Sequence, residues 1–504
     1  MANHLYDHLF APHADNPAPF LTREGVEPLS YAAFIRRAAQ MAHVLSAAGL
    51  RPGDRIVVQA PKTVEMVELY AATLQVGAIF LPLNTAYKKE EVQYFVEDAT
   101  PRLLICDSAS EEMLEPVARG VGARIMTLDA DGSGTLTARQ PQMPEVFETA
   151  PRGPNDLAAL LYTSGTTGRS KGAMMTHENL LSNARTLTGL WGITERDTLI
   201  HALPIFHTHG LFVALNTSLC AGACVAFMPG FNLDDVIAAI PRATLMMGVP
   251  TFYTRLLSDP RLTPELVENF RLFISGSAPL LAETHEAFTA RTGHHILERY
   301  GMTETNMNTS NPLTGARRPG TVGLPLPGTE VRLTDPDTGA EVPEGAVGMI
   351  EVRGPNVFQG YWHMPEKTAA ELRETGFFIT GDLGQFSADG YLSIVGRAKD
   401  LIITGGYNVY PKEIEDVLNE IDGVAESAVF GIPDADFGEA IIAAVVTETD
   451  AGVETDALSA TVSEKLARFK HPRRYELLAE LPRNTMGKVQ KNVLREVYGS
   501  TPTA

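Results

Sequence analysis

The sequence predicts an α/β protein. A large N-terminal domain of parallel-sheet α/β sub-domains plus a β-rich sub-domain precedes a small α+β C-terminal domain. Three observations predict this class. At 504 residues the chain is too long for a single core. Short apolar strands alternate with amphipathic helices over roughly residues 1–300, which is typical of parallel sheets covered by helices. From Pro319 to Val395, strands punctuated by Gly and Pro replace that alternation.

Apolar runs and capping residues predict the elements of the alternating region in order. Ser30 is a favoured N-cap and predicts a helix that ends near Gly49. The next elements are predicted as strand 56–58, helix 63–76, strand 79–81, helix 89–98 and strand 103–105. The polar, Pro-containing segment 129–156 predicts a loop between two sub-domains. The series then resumes with helix 177–190, strand 199–203, helix 210–221, strand 223–228, helix 232–240 and strand 243–248.

The β-rich sub-domain contains the turn 343–345, which leads into a predicted strand over 349–352. The pattern changes again at Arg397-Ala398-Lys399-Asp400, where a separate α+β unit begins. We therefore predict an N-terminal domain over 1–398 and a C-terminal domain over 399–504. The C-terminal elements are predicted as strand 401–403, helix 411–420, strands near 426–432 and 440–447, and helix 455–467.

Composition limits the partners of the chain. The net charge of -20 and the pI near 5.1 argue against a nucleic-acid partner. No signal peptide is predicted, and the uncharged stretch 198–233 contains too many Pro, Gly and His residues for a membrane span. Cys106, Cys220 and Cys224 lie in apolar surroundings, which predicts reduced thiols in a cytoplasmic protein. A metal site at Cys220 and Cys224 is disfavoured, because no second Cys or His pair is close by.

The segment from Leu161 to Met174 carries the strongest functional signal. An apolar run over 157–161 predicts a buried strand, and a loop rich in Gly, Ser and Thr follows it and is closed by Lys171. Such a loop can wrap a polyphosphate, because glycines let backbone N–H groups approach, hydroxyls donate hydrogen bonds and the lysine adds charge. It differs from a Walker A loop, since Ser170 rather than Gly precedes the lysine. The alternative is a flexible surface loop.

Four further motifs follow this loop along the chain: YGMTE over 300–304, TGD over 380–382, GRAKD over 396–400 and PRNTMGK over 482–488. In order and spacing the five motifs resemble the adenylate-forming superfamily of acyl-CoA synthetases, peptide-synthetase adenylation domains and luciferases. The resemblance runs from about residue 30 to residue 491. It implies a mobile C-terminal domain and a two-step reaction, in which a carboxylate displaces pyrophosphate from ATP and a thiol then displaces AMP.

The resemblance assigns roles to individual residues. Lys488 would bridge the carboxylate and the α-phosphate, and Glu304 would bind Mg2+. Thr163 would be the third catalytic residue. Gly405, Gly406 and Tyr407 would approach CoA, and Lys399 would be the hinge. The expected ATP-binding residues are Thr163, Ser164, Gly165, Thr166, Thr167, Gly168, Lys171, Ser277, Ala278, Pro279, Glu298, Tyr300, Gly301, Met302, Thr303, Asp382, Arg397 and Lys488. Taken singly, each charged residue would more often be a surface or ion-paired group.

The generic motifs do not specify the acid, which depends on the pocket. Arg299 is notable because a guanidinium near a closed, apolar pocket needs an anionic partner, and its fork matches a carboxylate. The segments LPIFHTHGLF, LFISGSAPL and ERYGMTETNMNTSNP further resemble malonyl-CoA synthetases. That resemblance implies that Arg299, Ser277 and His207 receive a second carboxylate of the substrate, with Met302 lining the pocket. The alternative is an ion pair between Arg299 and Glu298 or another acid.

These features predict a cytoplasmic, AMP-forming acid–CoA ligase with ATP, Mg2+ and CoA, acting on malonate and also on methylmalonate. A monocarboxylate–CoA ligase would explain the generic motifs and leave Arg299 structural. A luciferase-like oxygenase keeps the same motifs, whereas a peptide-synthetase adenylation domain would normally precede a carrier domain. The joint presence of Lys488, Glu304 and Asp382 argues against a non-catalytic ATP-binding protein. A lysine acetyltransferase is a further expected partner, since acetylation of Lys488 would remove its charge.

Overall fold

The computed structural model describes residues 3–163, 170–404, 407–434, 437–448, 452–484 and 487–499, except the side chain of Asn408. Contacts divide the chain into two compact units. Unit 1 comprises residues 1–319, 323–330 and 352–378, and unit 2 comprises residues 320–322, 331–351 and 379–504. The domain boundary at residues 398 and 399 stays a prediction. The α/β class with a small α+β C-terminal domain is confirmed.

The first sheet of unit 1 has six strands in the order β6–β5–β3–β4–β7–β8. Numbered along the chain, they are β3 Arg55–Gln59, β4 Ile79–Pro82, β5 Leu103–Cys106, β6 Arg124–Thr127, β7 Leu157–Thr163 and β8 Lys171–Thr176. All neighbours are parallel except β7 and β8. β7 and β8 pair along their length, from Leu157 opposite Thr176 to Thr163 opposite Lys171. The predicted phosphate loop therefore connects two adjacent antiparallel strands.

The second sheet of unit 1 has nine strands in the order β15–β14–β13–β12–β11–β9–β10–β1–β2. They are β1 Pro19–Arg23, β2 Val26–Ser30, β9 Thr198–His201, β10 Cys224–Phe227, β11 Leu245–Gly248, β12 Leu272–Ser275, β13 Leu297–Met302, β14 Asn306–Ser310 and β15 Leu324–Pro325. The strands from β1 to β13 in this order are parallel, and the two ends are antiparallel. The carboxyl ends of parallel strands are where α/β proteins bind ligands.

Helices cover these sheets, and several begin where the sequence predicts. The helices of unit 1 are α1 Tyr6–Leu9, α2 Tyr31–Ala47, α3 Val64–Val76, α4 Lys89–Ala99, α5 Glu111–Gly120, α6 His177–Leu190, α7 Asn216–Ala221, α8 Leu233–Ala239, α9 Pro250–Leu257, α10 Ala282–Thr292 and α11 Pro365–Glu371. Ser30 caps α2 by accepting a hydrogen bond of 3.2 Å from the backbone N–H of Ala33. Within the described residues, no helix has both the length and the apolar character that crossing a membrane requires.

The predicted helix 210–221 differs from the structure in its first half. A π-helical segment, His209–Leu215, precedes α7. The wider turn accompanies a close approach to the preceding loop, since a Cβ at Gly210 would lie 2.0 Å from the carbonyl oxygen of Pro204. π-Helical turns within helices are frequent at functional sites.

A four-stranded sheet in the order β16–β17–β18–β19 lies mostly in unit 2. Its strands are β16 Glu330–Thr334, β17 Gly348–Arg353, β18 Phe378–Phe386 and β19 Leu392–Arg397. The C-terminal elements are β20 Ile402–Thr404, β21 Tyr407–Val409, α12 Pro411–Asn419, β22 Val424–Asp434, β23 Gly438–Thr447, α13 Thr455–Lys465, β24 Arg474–Leu478 and α14 Lys491–Tyr498. Strands β20 to β24 form one sheet, and apolar side chains cover both of its faces, so this sheet has its own core.

Candidate active site

Arg299 is buried at the end of the parallel part of the large sheet, on β13. Its side chain is only 3% exposed, and its guanidinium lies over Gly276, where a Cβ would approach Cζ to 2.4 Å. Glycine at position 276 therefore makes room for the guanidinium. Burial lowers the pKa of Arg299 to about 9, and the neighbouring Tyr253 offsets this only in part. Because arginine stays charged in proteins, the lowered pKa indicates a buried charge without an adequate counter-charge.

No carboxylate among the described residues is paired with Arg299. The predicted alternative, an ion pair with Glu298, is absent there, because the Glu298 carboxylate lies 3.7 Å from Nδ1 of His285. Successive strand residues point to opposite faces of a sheet, which separates Glu298 from Arg299. The Nε and Nη2 atoms of Arg299 have no hydrogen-bond partner in the described part of the chain. A buried, unpaired guanidinium is costly, so these donors indicate a ligand that carries an anionic group.

Further buried polar atoms converge on this pocket. Oγ1 of Thr208, Nε2 of His209 and Oγ of Ser275 also lack partners among the residues that the structure describes. The other ring nitrogen of His209, Nδ1, lies 3.1 Å from Oγ of Ser277. Burial, followed by the charge of Arg299, lowers the pKa of His209 well below its usual value, so this imidazole is neutral. The pocket therefore combines one fixed cation with neutral hydrogen-bonding groups.

Ser277 adopts a backbone conformation that side-chain-bearing residues rarely take. Its φ is +72°, in the left-handed region that favours glycine. Strained residues of this kind cluster at ligand-binding sites, where surrounding contacts hold them. Ser277 lies two residues after the last residue of β12, beyond the carboxyl end of that strand. Its strained turn and its contact with His209 bring the predicted acid-binding serine to the Arg299 pocket.

A second polar cluster surrounds Glu304. The Glu304 carboxylate is buried, and the hydroxyl of Tyr361 lies 3.0 Å from Oε1 of Glu304 and 2.7 Å from Oε2 of Glu371. Lys171 approaches the Tyr361 hydroxyl to 3.2 Å and Glu371 to 3.3 Å. Burial raises the pKa of Glu304, whereas Lys171 and the Tyr361 hydroxyl partly oppose that increase. The predicted phosphate-binding lysine and the predicted metal ligand therefore lie in one cluster.

This cluster suits a divalent cation that also binds phosphate. Among the residues that the structure describes, no group of three or more His, Cys, Asp or Glu side chains could hold a metal ion alone. Mg2+ is commonly held by one or two carboxylates plus substrate phosphates and waters. Glu304 provides one hard oxygen donor, and Glu371 lies across the Tyr361 hydroxyl from it. The donor set therefore fits Mg2+ only together with a nucleotide.

Replacing Tyr361 with Phe tests this cluster. A phenol has one proton, so its hydroxyl stabilises one carboxylate at a time. Without it, the pKa of Glu304 should rise further, because burial already raises that pKa and a hydrogen bond to the charged form is lost. The ionised form of Glu304 is the one that would bind a divalent cation, so activity is expected to fall as the pH drops through this pKa. We expect the acid limb of kcat/KM for MgATP to move up by about one pH unit.

The half-buried Tyr87 provides the matched control for this experiment. Tyr87→Phe should leave the acid limb where the parent has it. An unshifted acid limb in Tyr361→Phe, with normal thermal stability, would mean that the hydroxyl does not support Glu304.

The described members of the remaining predicted ATP-binding residues of unit 1 lie on loops and strand ends. Thr163 ends β7 and pairs with Lys171 on β8. Residues 164–168, which carry most of the predicted phosphate loop, lie outside the described residues, as do Gly405 and Gly406. Tyr300, Gly301 and Met302 complete β13, Thr303 lies in the turn after it, and Ala278 and Pro279 follow Ser277. The hairpin at Gly301 is tight, since a Cβ there would lie 1.9 Å from the carbonyl oxygen of Asn306.

Unit 2 brings two predicted nucleotide-binding residues together. Asp382 on β18 and Arg397 on β19 are directly opposed in the antiparallel pair, and Nε of Arg397 lies 3.1 Å from Oδ1 of Asp382. Lys399 follows in a short 3₁₀ turn, and its neighbour Asp400 pairs with Arg495 at 2.8 Å. Burial lowers the pKa of Lys399.

Lys488 is exposed, and backbone and side-chain hydrogen bonds to Asn484 hold its backbone. Asn484 Oδ1 accepts from the Lys488 N–H at 2.9 Å, and the Asn484 N–H donates to the Lys488 carbonyl at 2.9 Å. The Arg483 guanidinium donates to the carbonyl of Gly487 and forms an ion pair with Glu426. The turn thus fixes the backbone at Lys488 while its side chain faces solvent. Tyr407, predicted to approach CoA, is also exposed.

Sequence reasoning missed three members of these clusters. His209 was expected only to line or gate the pocket, and its contact with Ser277 was not predicted; the motif FHTHG contains two histidines and does not distinguish them. Tyr361 and Glu371 were not identified, because they are 57 and 67 positions from Glu304 and belong to no motif. Only the fold brings them to Lys171 and Glu304.

Comparison with known proteins identifies the family. The model of AMP-binding enzymes matches residues 10–362, and that of the AMP-binding enzyme C-terminal domain matches residues 413–488. The chain belongs to the AMP-binding enzyme family. The second match ends at Lys488, so the exposed lysine turn belongs to the C-terminal part of that family.

Similar proteins include members that act on different acids. The chain is 53% identical to MatB from Rhodopseudomonas palustris in an ATP-bound crystal structure, which covers 99% of both chains with a TM-score of 0.98. It is 35% identical to a malonate–CoA ligase of Arabidopsis thaliana, over 89% of this chain and 78% of that protein. It is also 36% identical to a feruloyl-CoA synthase of an Amycolatopsis species, over 96% of this chain and 97% of that protein.

Proposed function

We propose that this AMP-binding enzyme is an AMP-forming acid–CoA ligase for malonate. It converts malonate, ATP and CoA to malonyl-CoA, AMP and diphosphate, and methylmalonate is a further substrate. The observation that carries the choice of acid is the buried guanidinium of Arg299, which no described carboxylate neutralises. A dicarboxylic acid supplies the missing anion with its second carboxylate and keeps its first for reaction.

Overall identity does not decide between acids. A malonate–CoA ligase and a feruloyl-CoA synthase are both about one-third identical to this chain. Ferulate has one carboxylate, so a pocket for it has no use for an unpaired buried arginine. The local contacts of Arg299 therefore support malonate more strongly than either relative does.

In the first step, one malonate oxygen attacks the α-phosphorus, a P–O bond forms, and the bond to pyrophosphate breaks. The difficulty is electrostatic, because an anion approaches a polyanion. Arg299 holds the distal carboxylate, so the near one is oriented toward the nucleotide. Lys488 supplies positive charge between the attacking carboxylate and the α-phosphate. Mg2+, when bound at Glu304, neutralises phosphate charge, and Asp382 accepts hydrogen bonds from the ribose hydroxyls.

In the second step, the sulfur of CoA attacks the acyl carbon, a C–S bond forms, and AMP leaves with the C–O bonding electrons. The thiol proton passes to solvent or to the departing AMP. Gly405, Gly406 and Tyr407 are proposed to approach CoA, and Lys399 is the proposed hinge between the two steps.

The first experiment combines purified protein, malonate, MgATP and CoA and measures diphosphate, AMP and thioester together. Equal amounts of all three products are expected, and omission of CoA should stop thioester formation but not malonate-dependent pyrophosphate exchange into ATP. Pyrophosphate exchange without any thioester would contradict the ligase and favour an enzyme that only adenylates its acid.

Lys399→Pro tests the hinge. Proline fixes φ near −65° and removes the N–H, so it restricts rotation at this position. We expect thioester formation from supplied malonyl-adenylate to fall by at least about tenfold, while pyrophosphate exchange changes by less than about threefold. Lys399→Ala, which keeps backbone freedom, is the control and should retain both steps. Equal losses in the two steps for Lys399→Pro would contradict the hinge.

Two proposals concern the cell. Three thiols in apolar surroundings support a cytoplasmic location.

A lysine acetyltransferase is a proposed regulator, since Lys488 is exposed and acetylation would remove the charge used in the first step. Intact-protein mass spectrometry after treatment with an acetyltransferase and acetyl-CoA should show one added acetyl group at Lys488 and lost adenylation. Unmodified Lys488 would contradict the regulation.

A further inference from the structure

A cavity of about 440 Å³ lies in unit 1, at the carboxyl ends of β1, β3, β9 and β10. We call it the Lys62 cavity. The residues that line it are Arg23, Ala60, Pro61, Lys62, Thr63, Val64, Met66, Thr85, Ala130, Pro204, Ile205, Phe206, Phe227 and Pro229. None of the four residues predicted to bind the acid, His207, Ser277, Arg299 and Met302, belongs to this lining. The side chains of these four residues therefore lie outside the lining of the Lys62 cavity, although Phe206 in that lining directly precedes His207.

The Lys62 amine is held by a defined set of contacts. Nζ lies 2.9 Å from Nδ1 of His201, 2.9 Å from the His201 carbonyl and 4.6 Å from the ring centre of Phe227. Nε2 of His201 lies 2.8 Å from the carbonyl oxygen of Gly210. A carbonyl only accepts, so Nε2 carries the proton and Nδ1 accepts from Lys62. Two of the three donor positions of the ammonium are thus satisfied by neutral acceptors.

The cavity has positive groups and no negative ones. Its lining contains Lys62 and Arg23 but no Asp or Glu, and neither cation forms an ion pair with a described residue. Among the described contacts of Lys62, His201 is the titratable partner, and Arg23 is the other basic side chain in the lining. Burial lowers the pKa of Lys62 well below its usual value, and burial together with the Lys62 charge lowers that of His201 to about 3. In a chain with a net charge of -20, two basic side chains without a described acidic partner at one cavity require an explanation.

We propose that the Lys62 cavity is a second anion-binding site, which takes a small organic anion with a carboxylate or phosphate head and an apolar tail. The head accepts from the remaining Lys62 donor and from Arg23 at the exposed side. The tail packs against apolar walls that include Met66, Ile205 and Phe206. Such a combination of mostly apolar walls with a few polar anchors is typical of small-molecule sites.

Anion binding at this site would have a measurable consequence, proton uptake, that simple burial of a lysine would not have. An anion favours the ammonium form of Lys62, so binding raises a pKa that burial has lowered. The complex therefore takes up a proton, and affinity falls as the pH rises. This inference goes beyond the ligase reaction and does not depend on malonate being the substrate.

Calorimetry with hexanoate, hexyl phosphate and hexanol tests the proposal on the full-length protein. Hexanoate and hexyl phosphate distinguish the two head groups, and hexanol carries the same tail without a charge. We expect an anion to bind with proton uptake, measured as a heat that depends on the ionisation enthalpy of the buffer. Lys62→Met should weaken binding by about ten- to a hundredfold, the range expected for a lost hydrogen bond to a charged group.

Lys62→Met and Arg23→Ala locate the site, and two further variants serve as controls. Arg299→Ala, in the acid pocket, should bind the probe as the parent does, and so should Lys88→Met at an exposed lysine. Arg23→Ala changes an exposed residue and should weaken binding by about threefold to tenfold. Thermal melting checks that each variant is folded.

Several outcomes would overturn the proposal. They are equal binding of hexanol and the anions, loss of binding in Arg299→Ala with retention in Lys62→Met, or no binding of either anion by the parent. None of them affects thioester formation from malonate, so the failure of this site and the failure of the ligase assignment are distinguishable.

Discussion

Lys488→Ala is expected to reduce malonate-dependent pyrophosphate exchange into ATP by about a thousandfold or more, because a positioned cation between two anions carries the first step. The side chain is exposed on its turn, so its loss should change the free energy of unfolding by less than about 0.5 kcal/mol. The second step does not bring two anions together in this way. Thioester formation from supplied malonyl-adenylate should therefore stay within about threefold of the parent.

Lys465 provides a matched lysine in the same unit. Lys465 is the last residue of α13 and forms a surface ion pair of 2.8 Å with Glu420. Lys465→Ala should leave both steps unchanged, since exposed ion pairs contribute little. Normal pyrophosphate exchange in Lys488→Ala would remove the assigned role of this lysine, and equal loss of both steps would mean that it acts in folding or in general nucleotide binding.

Arg299→Ala is expected to reduce kcat/KM for malonate by about a hundredfold to ten-thousandfold. The estimate follows from two charge-assisted hydrogen bonds of about 1.5–3 kcal/mol each between guanidinium and carboxylate. Arg299→Lys should recover part of this activity, because a lysine keeps the charge but lacks the bidentate fork. Activity on propionate should not fall in parallel, since propionate has no distal carboxylate to lose a partner.

Arg255 on α9 is an exposed arginine of the same unit, and Arg255→Ala serves as the control. Malonate kinetics should be unchanged in it. If Arg299→Ala stays folded and retains malonate activity, Arg299 is structural and the acid must be recognised elsewhere. Equal losses on malonate and propionate would indicate damage to the whole pocket rather than to a carboxylate receptor.

Local sequence signals predicted the elements that depend on local physics. Helix α6 spans His177–Leu190 as predicted, because Thr176 provides a capping hydroxyl and the apolar residues recur at helical spacing. The polar loop over 129–156 was likewise identified, since it contains only a short 3₁₀ turn, Gln140–Gln142. The π-helical segment His209–Leu215 was missed, because the crowding of Gly210 against Pro204 arises only in the folded chain.

In the candidate site too, some residues could be identified from the sequence and others only from the fold. Arg299 was identified because the resemblance placed it beside an apolar pocket, where a guanidinium needs an anionic partner. Tyr361 and Glu371 could not be found, since their role depends on long-range contacts with Glu304 and Lys171 and not on any local pattern. The Lys62–His201 contact joins residues 139 positions apart and was missed for the same reason.

We propose that the buried Arg299 selects an acid with two carboxylates. The most direct measurement compares kcat/KM for malonate and propionate in ATP- and CoA-dependent thioester formation by the parent protein. Propionate replaces the distal carboxylate with a methyl group and leaves the reacting carboxylate unchanged. We predict a preference for malonate of at least about a hundredfold, the effect of two lost charge-assisted hydrogen bonds. Equal rates, or a preference for propionate or a longer monocarboxylate, would contradict the claim.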